Sequence, residues 1–240
     1  MNTPATPEII EFAWCCCPKW ATAASSDVVD VIERGDGVGT VLMIDVQGSG
    51  SSGSRLAHTL INFARDITAA GSEPSVVATA TAQFLYSIRG GSVSASIHVI
   101  RAHPSSNLLS LTGYGNCSLA RSEAGAWETI DFHHASAGTI LDHSPGTLSI
   151  QFMPGATILI ANDGIARDRS GLETLVADSV DFGSVSNLVS QVVTLAIDQD
   201  GGRSKSDMAT AAIARKNATQ PALVNSGFRM LPVRSHRSAL

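Results

Sequence analysis

An aspartate at the end of an apolar run is the first residue of this chain that could do chemistry. Asp45 follows Val-Leu-Met-Ile at residues 41–44. A carboxylate in such a place loses hydration unless a cation or hydrogen-bond donors compensate it. Gly48, Gly50 and Gly53 come directly afterwards and satisfy the pattern G-x-G-x-x-G. The stretch therefore suggests either a nucleotide-binding glycine loop or an aspartate held at a strand end for another reaction.

The glycine pattern is weak evidence for a nucleotide site. A dinucleotide fingerprint belongs to a βαβ unit with an acidic residue about twenty positions later, whereas Glu73 lies in the turn-like segment AGSEPS. A phosphate-binding loop needs a lysine and then a hydroxyl residue after its last glycine, and Ser54-Arg55 does not supply them. We therefore favour a different role for Asp45.

Three further aspartates stand at the borders of strand-like runs. They are Asp27 in SSDVVDVI, Asp163 in ATILIAND and Asp207 in SKSDMATAAIA. Four carboxylates at strand ends could converge at one end of a packed sheet pair, where hard divalent cations take oxygen ligands. Two such ions, about 3.5–4 Å apart, can activate a water and neutralise a phosphoryl group. Each aspartate alone is more often a cap or turn residue, so only the set predicts a metal site.

Short strand-like runs dominate the middle of the chain. These runs are residues 39–45, 92–100, 107–115, 156–163 and 208–214. Several alternate apolar with small or polar residues, as half-buried strands do. Apolar residues at helical spacing occur in 53–70 and 184–197, with Ser184 as a candidate N-cap. Because strands follow strands through short turns, the pattern favours antiparallel pairing.

Composition limits the classes of function. The chain has 240 residues, a formal net charge of −5 and 15% charged residues. This length fits one domain, and the charge argues against a basic face for nucleic acid. No apolar run reaches the roughly 18 residues of a membrane-spanning helix, and the first residues lack the pattern of a secretory signal. We therefore expect a cytoplasmic protein that binds neither nucleic acid nor a membrane.

Cysteines and histidines do not form a metal pattern. Cys15, Cys16 and Cys17 are adjacent, and Cys117 stands apart. Neighbouring side chains on a strand point to opposite faces, so we interpret the three as small buried residues at a strand end, with a redox or metal role as the alternative. The seven histidines lack metal spacing, and none near Asp45 is an evident general acid.

The order of four segments resembles a known family. Residues 25–50, 111–127, 152–166 and 205–215 are similar to the metal-dependent serine/threonine phosphatases of the protein phosphatase 2C superfamily, especially the bacterial subgroup related to stage II sporulation protein E. The specific pieces are Asp45-Val46-x-Gly48-x-Gly50, similar to D-[GV]-x-G-x-G, and Pro154-Gly155-Ala156 leading to Asn162-Asp163-Gly164, similar to P-G-D…[ST]-D-G. Asp207 matches the second aspartate of a D-D pair.

This resemblance implies a fold and a domain organisation. The fold is a four-layer α-β-β-α sandwich, in which two antiparallel sheets pack face to face and helices flank them. Residues 8–215 form the phosphatase domain, after a flexible head at residues 1–7. The polar composition of residues 216–240 predicts a flexible basic tail.

The resemblance also implies a two-metal site. Asp45 bridges two manganese or magnesium ions, and the Val46 carbonyl binds one of them. Asp163 and Asp207 hold the other ion, and Asp27 contacts metal-bound water. The implied reaction is direct attack of a metal-activated water on phosphoserine or phosphothreonine, with Asp45 and Asp163 as catalytic residues. The partner is a phosphoprotein substrate, for which a regulator of the anti-anti-sigma type is the family's example.

Several positions depart from the family pattern. Ser26, Ser49 and Ser206 replace a glycine, a histidine or lysine, and an aspartate of many relatives, and Ala156 replaces the aspartate of P-G-D. These departures motivate an alternative, a degenerate phosphatase fold that binds a partner without turnover. The four retained aspartates favour the enzyme, since clustered carboxylates are costly for a scaffold.

Overall fold

The computed structural model describes residues 8–48, 50–103, 106–123, 125–141, 143–166, 169–179 and 183–217. Within these ranges the chain forms strands and helices in a mixed order. The strands are β1 (Glu8–Cys17), β2 (Asp27–Glu33), β3 (Gly39–Val46), β4 (Ala95–Ala102), β5 (Leu108–Tyr114), β6 (Cys117–Glu123), β7 (Ala126–Phe132), β8 (Gly146–Gln151), β9 (Thr157–Ala161) and β10 (Met208–Asn217). The helices are α1 (Gly50–Ala69), α2 (Pro74–Arg89), α3 (Arg169–Asp178) and α4 (Val185–Gln199).

The strands form two five-stranded sheets. The first sheet has the order β1-β10-β9-β6-β7 and the second has the order β2-β3-β4-β5-β8. Every pairing within both sheets is antiparallel. Helices α1 and α2 cover the outer face of the second sheet, and α3 and α4 cover the outer face of the first.

Three apolar clusters separate the four layers. One lies between the two sheets, and each of the others lies between one sheet and its helices. Strand β3 contributes to two clusters, since Val41 and Met43 face the other sheet whereas Leu42 and Ile44 face the helices. A strand buried on both faces reads as a continuous apolar run. The predicted four-layer α-β-β-α sandwich is confirmed.

The nucleotide alternatives do not fit this topology. Helix α1 begins at Gly50, inside the glycine pattern, and follows a strand whose neighbours are antiparallel. A dinucleotide site requires parallel strands joined by a crossover helix. Gly48 and Gly50 have φ angles of 132° and 75°, a conformation that favours glycine. The glycines thus serve the tight connection from β3 to α1.

The five predicted strands and two predicted helices are present. Helix α4 begins as expected, because the Ser184 side chain accepts a hydrogen bond from the Asn187 backbone N–H. Strand β1 ends at Cys17, and all four cysteines are free. The head 1–7 and residues 218–240 of the tail lie outside the described residues, and Lys216 belongs to β10. Length and hydropathy exclude a membrane-spanning role for every helix in the described residues.

His98 of β4 is a buried titratable group within the second sheet. Its side chain faces Phe132 edge-on, with ring centroids 5.8 Å apart. Its Nε2 atom has no hydrogen-bond partner among the described residues. Burial lowers the pKa of His98 to about 4, although a hydrogen bond with the Gly115 backbone acts in the opposite direction. The folded protein therefore keeps this imidazole neutral.

We predict that His98 makes stability depend on pH. The unfolded chain binds a proton at this residue below pH 6.5 whereas the folded chain does not, so stability is lost as the pH falls from about 6.5 to about 4. The loss is on the order of 3 kcal/mol. Urea unfolding of wild type and His98→Gln across this range should show a flatter pH dependence for the variant. If stability fell equally with pH in wild type and His98→Gln, His98 would not be the source of the pH dependence.

Candidate active site at the strand ends

Two carboxylates face each other at one end of the second sheet. Asp27 is the first residue of β2, Asp45 is the penultimate residue of β3, and the two are paired in the antiparallel register. Like charges directly opposite each other destabilise a sheet. Asp27 is only 3% exposed, which increases the cost. The fold tolerates this pair only if other groups compensate it.

An amide from the other sheet provides part of that compensation. Asn162, which follows β9, donates from Nδ2 to Oδ2 of Asp27 at 2.6 Å. Its Oδ1 accepts from the Ala209 backbone N–H of β10 at 3.0 Å. Asn162 is 3% exposed and ties the two sheets together beside the carboxylates. Asn162 has no predicted role of its own in the sequence, although its position next to Asp163 was a signal for one.

The carboxylate pair has perturbed acidity. Burial, followed by repulsion from Asp45, raises the pKa of Asp27 to about 9. Burial also raises the pKa of Asp45, with repulsion from Asp163 and Asp207 adding to it, whereas the hydrogen bond with Asp27 lowers it. Without a cation, the pair therefore holds one proton between its two carboxylates at neutral pH. A divalent cation would supply the positive charge that this proton provides.

Asp163 lies at the surface, close enough to the pair for its charge to act on Asp45. It follows β9 and Asn162, and its side chain is exposed. The next residue, Gly164, is tightly enclosed, because a Cβ there would lie 1.8 Å from the Asp207 carbonyl oxygen. The glycine therefore allows the turn carrying Asp163 to pass directly against the start of β10.

Asp207 is oriented toward the connection between β1 and β2. Its Oδ1 accepts from the Lys19 backbone N–H at 2.7 Å. Its Oδ2 accepts from the Ser26 backbone N–H at 2.8 Å and from the Ser26 hydroxyl at 2.7 Å. Both carboxylate oxygens are thus engaged by this connection.

The predicted site residues line one cleft. It has a volume of about 400 Å³, enough for a phosphorylated side chain. Asp27, Asp45, Val46, Asp163 and Asp207 all contribute to its wall. The other lining residues are mostly hydroxyl, amide and ammonium groups: Lys19, Ser26, Gln47, Ser94, Ser96, Ser136, Lys205 and Ser206. Among the described residues that form the cleft, none is a histidine.

The donor set fits divalent cations in its chemistry. Carboxylates and a backbone carbonyl are the ligands that manganese and magnesium take, and the mutual repulsion of Asp27 and Asp45 gives a cation a favourable place. However, no three histidine, cysteine, aspartate or glutamate side chains in the described part of the chain are grouped closely enough to hold an ion. Neither observation tests the predicted ligand roles, which therefore stay predictions.

Comparison with known families identifies this architecture. The family model for stage II sporulation protein E (SpoIIE) matches residues 35–216. The chain belongs to the SpoIIE family. The matched range includes Asp45, Asp163 and Asp207, whereas Asp27 lies before it. No match to a curated protein sequence was found.

Solved structures similar to this SpoIIE-family chain are phosphatase domains of the protein phosphatase 2C (PP2C) type. The PP2C domain of Bacillus subtilis SpoIIE with a fragment of its regulatory domain has a TM-score of 0.78 and 12% identity, covering 89% of this chain and 64% of that chain. The RsbU and RsbW domains of a Mycobacterium tuberculosis protein give 0.76 and 19%, covering 91% and 64%. The catalytic domain of PstP, in complex with two manganese ions, gives 0.71 and 13%, covering 88% and 100%.

These similarities show a shared fold. The chain spans 64% of the length of the first two structures. The predicted membership of the PP2C superfamily, in its SpoIIE-related subgroup, is confirmed by the family match and by the fold.

We predict that Asn162→Ala destabilises the protein by about 2–4 kcal/mol, because the Ala209 N–H loses its side-chain acceptor and Asp27 loses a donor. Chemical denaturation monitored by circular dichroism measures the change. Asn187→Ala is the control, because the Asn187 side chain is exposed on α4. Equal stability of the two variants would show that Asn162 does not support the carboxylate pair.

Proposed function

We propose that this chain is a manganese- or magnesium-dependent protein serine/threonine phosphatase that acts in bacterial signalling. Its substrate is a phosphoprotein, and a regulator of the anti-anti-sigma type is the candidate that the family suggests. One observation carries the proposal. In a SpoIIE-family fold, the opposed carboxylates of Asp27 and Asp45 stand in a polar cleft of about 400 Å³.

The proposed metal ligands are those expected from the family. Asp45 would be the ligand common to two ions, the Val46 carbonyl would bind one of them, and Asp163 and Asp207 would hold the other. Asp27 lies beside Asp45 and would contact a water molecule of the site. Bound divalent ions would lower the pKa of a water and neutralise the phosphoryl oxygens.

The other residues of the cleft serve substrate binding. The ammonium groups of Lys19 and Lys205 can attract the phosphoryl group, and the hydroxyls of Ser94, Ser96 and Ser136 can donate to its oxygens. The described part of the cleft offers no histidine as a general acid for the leaving serine or threonine oxygen.

A partner-binding module without turnover is the second candidate. Two observations favour it, the lack of a histidine among the described cleft residues and the engagement of both Asp207 oxygens by Lys19 and Ser26. The Asp27–Asp45 pair argues against it, since a scaffold gains nothing from a buried and a partly buried carboxylate placed opposite each other.

We predict metal-dependent phosphatase activity. Wild-type protein should release phosphate from p-nitrophenyl phosphate and from a phosphoserine peptide with manganese, and not with a chelator. Asp163→Ala should abolish this release, because it removes a proposed ligand of one ion. Asp178→Ala, a change in the last residue of α3, is the matched control and should retain activity. Absence of release by wild type with any metal, despite bound ions, would favour the binding module.

We predict that Asp45→Asn weakens binding of both ions. Loss of indirect supporting residues typically reduces metal affinity 10–100-fold, so loss of a shared ligand should cost more than about 100-fold. Calorimetric titration of the wild type and the variant with manganese measures stoichiometry and affinity. If both quantities stay unchanged in the variant, Asp45 is not the bridging ligand.

A further inference from the structure

Two segments beside the cleft are joined by several contacts. The β1–β2 loop comprises residues 18–26, and the α4–β10 segment comprises residues 200–207. The Trp20 N–H donates to the Ser204 carbonyl at 2.9 Å, and the Ser204 hydroxyl donates to the Pro18 carbonyl at 2.9 Å. The Arg203 guanidinium also lies 5.1 Å from the centroid of the Trp20 ring. The two segments therefore form one packed unit.

Asp207 makes three charge-assisted hydrogen bonds within this unit. A carboxylate offers about four lone-pair sites, and three donors from Lys19 and Ser26 already use the two oxygens of Asp207. Two of these donors are backbone N–H groups, which cannot rotate away. Ser26 is only 4% exposed, so water cannot readily replace Asp207 as the acceptor for the two Ser26 donors. Turning Asp207 toward a cation would leave buried donors unsatisfied.

Ser206, the preceding residue, is placed beside Asp163. Its hydroxyl oxygen lies 3.2 Å from the position that a Cβ on Gly164 would take, and it lines the cleft together with Asp163. A longer acidic side chain at position 206 would therefore start next to the turn that carries Asp163. Position 206 is suited to supply an oxygen ligand there without breaking the bonds of Asp207.

We propose that Asp207 positions the β1–β2 loop and supplies no metal ligand, so that the cation position beside Asp163 lacks one carboxylate. This inference rests on the proposed metal-dependent function and revises one ligand of it. The two ions would then bind unequally: the one at Asp45 and the Val46 carbonyl, beside Asp27, would be held firmly, and the one at Asp163 would be held weakly, because Ser206 has no charge.

The melting temperature of metal-free protein separates a positioning role from a ligand role. Carboxylates that share a metal site repel each other when the metal is removed, so neutralising a ligand should leave the metal-free melting temperature unchanged or raise it. Neutralising a residue that holds a loop should lower it. We expect Asp207→Asn to lower it by about 5 °C. Asp163→Asn is the matched control and should not lower it.

Manganese titration of the same variants gives the second readout. Asp207→Asn should keep the affinity of the firmly bound ion, whereas Asp163→Asn should weaken the second ion. A loss of affinity of more than tenfold in Asp207→Asn, whatever its melting temperature, would overturn the inference. A metal-free melting temperature of Asp207→Asn equal to or above that of wild type would also overturn the inference.

Ser206→Asp provides a gain-of-binding test. It should tighten the weaker manganese ion at least tenfold in calorimetry. Ser136→Asp, which adds the same charge elsewhere on the cleft wall, is the control and should have a smaller effect. Equal tightening in both variants, or none in Ser206→Asp, would contradict the assignment of position 206.

Ser26→Ala tests the inference if Asp207→Asn does not fold. It removes only the hydroxyl donor, so it should lower the metal-free melting temperature without changing manganese affinity. If Ser26→Ala instead bound manganese more tightly and melted at the wild-type temperature, Asp207 would be a metal ligand for which the Ser26 hydroxyl competes. Failure of wild type to bind manganese would overturn the proposed function, while metal-free melting would still decide the positioning role of Asp207.

Discussion

The antiparallel register of β2 and β3 is the constraint on which the candidate site depends, because it places Asp27 directly opposite Asp45. Slipping this register by one residue would turn the apolar side chains of β3 to the wrong faces. Since Val41, Leu42, Met43 and Ile44 are all at most 1% exposed, both faces of β3 resist such a slip. The packing of the sandwich thus enforces a contact that electrostatics alone would oppose.

Hydrogen bonds to the opposite sheet hold the start of β2 in this register, and the one from Asn162 also compensates Asp27. Asn162 follows β9 and Asp207 precedes β10, and these two strands are neighbours in the first sheet. Their polar side chains reach Asp27 and Ser26 at the start of β2. Elsewhere the space between the sheets is filled mostly by apolar side chains. The site therefore lies where the apolar interface ends and hydrogen bonds connect the two sheets.

Much of this fold could be predicted from the sequence, because buried strands and amphipathic helices leave periodic patterns. Helix α2 was missed because its Val and Thr residues are poor helix formers, although Pro74 at its start and Gly90 at its end were available as signals. Strand β8 was missed because it is short and lies at a sheet edge. The sequence placed the four aspartates at strand ends. It could not show which way the Asp207 carboxylate turns, since that depends on the partners Lys19 and Ser26, which lie more than 180 positions away in the chain.

Gly164 brings the turn that carries Asp163 against Asp207, the residue before β10. Because the Asp207 carbonyl leaves no room for a Cβ at residue 164, the turn that carries Asp163 rests directly on the start of β10. The side chain of Asp207 in turn holds the loop that leads to Asp27. A displacement of β10 would therefore move the surface carboxylate Asp163 and the buried carboxylate Asp27 together. The relative position of these two carboxylates depends on backbone packing and on neutral hydrogen-bond donors, so it persists even when no cation links them.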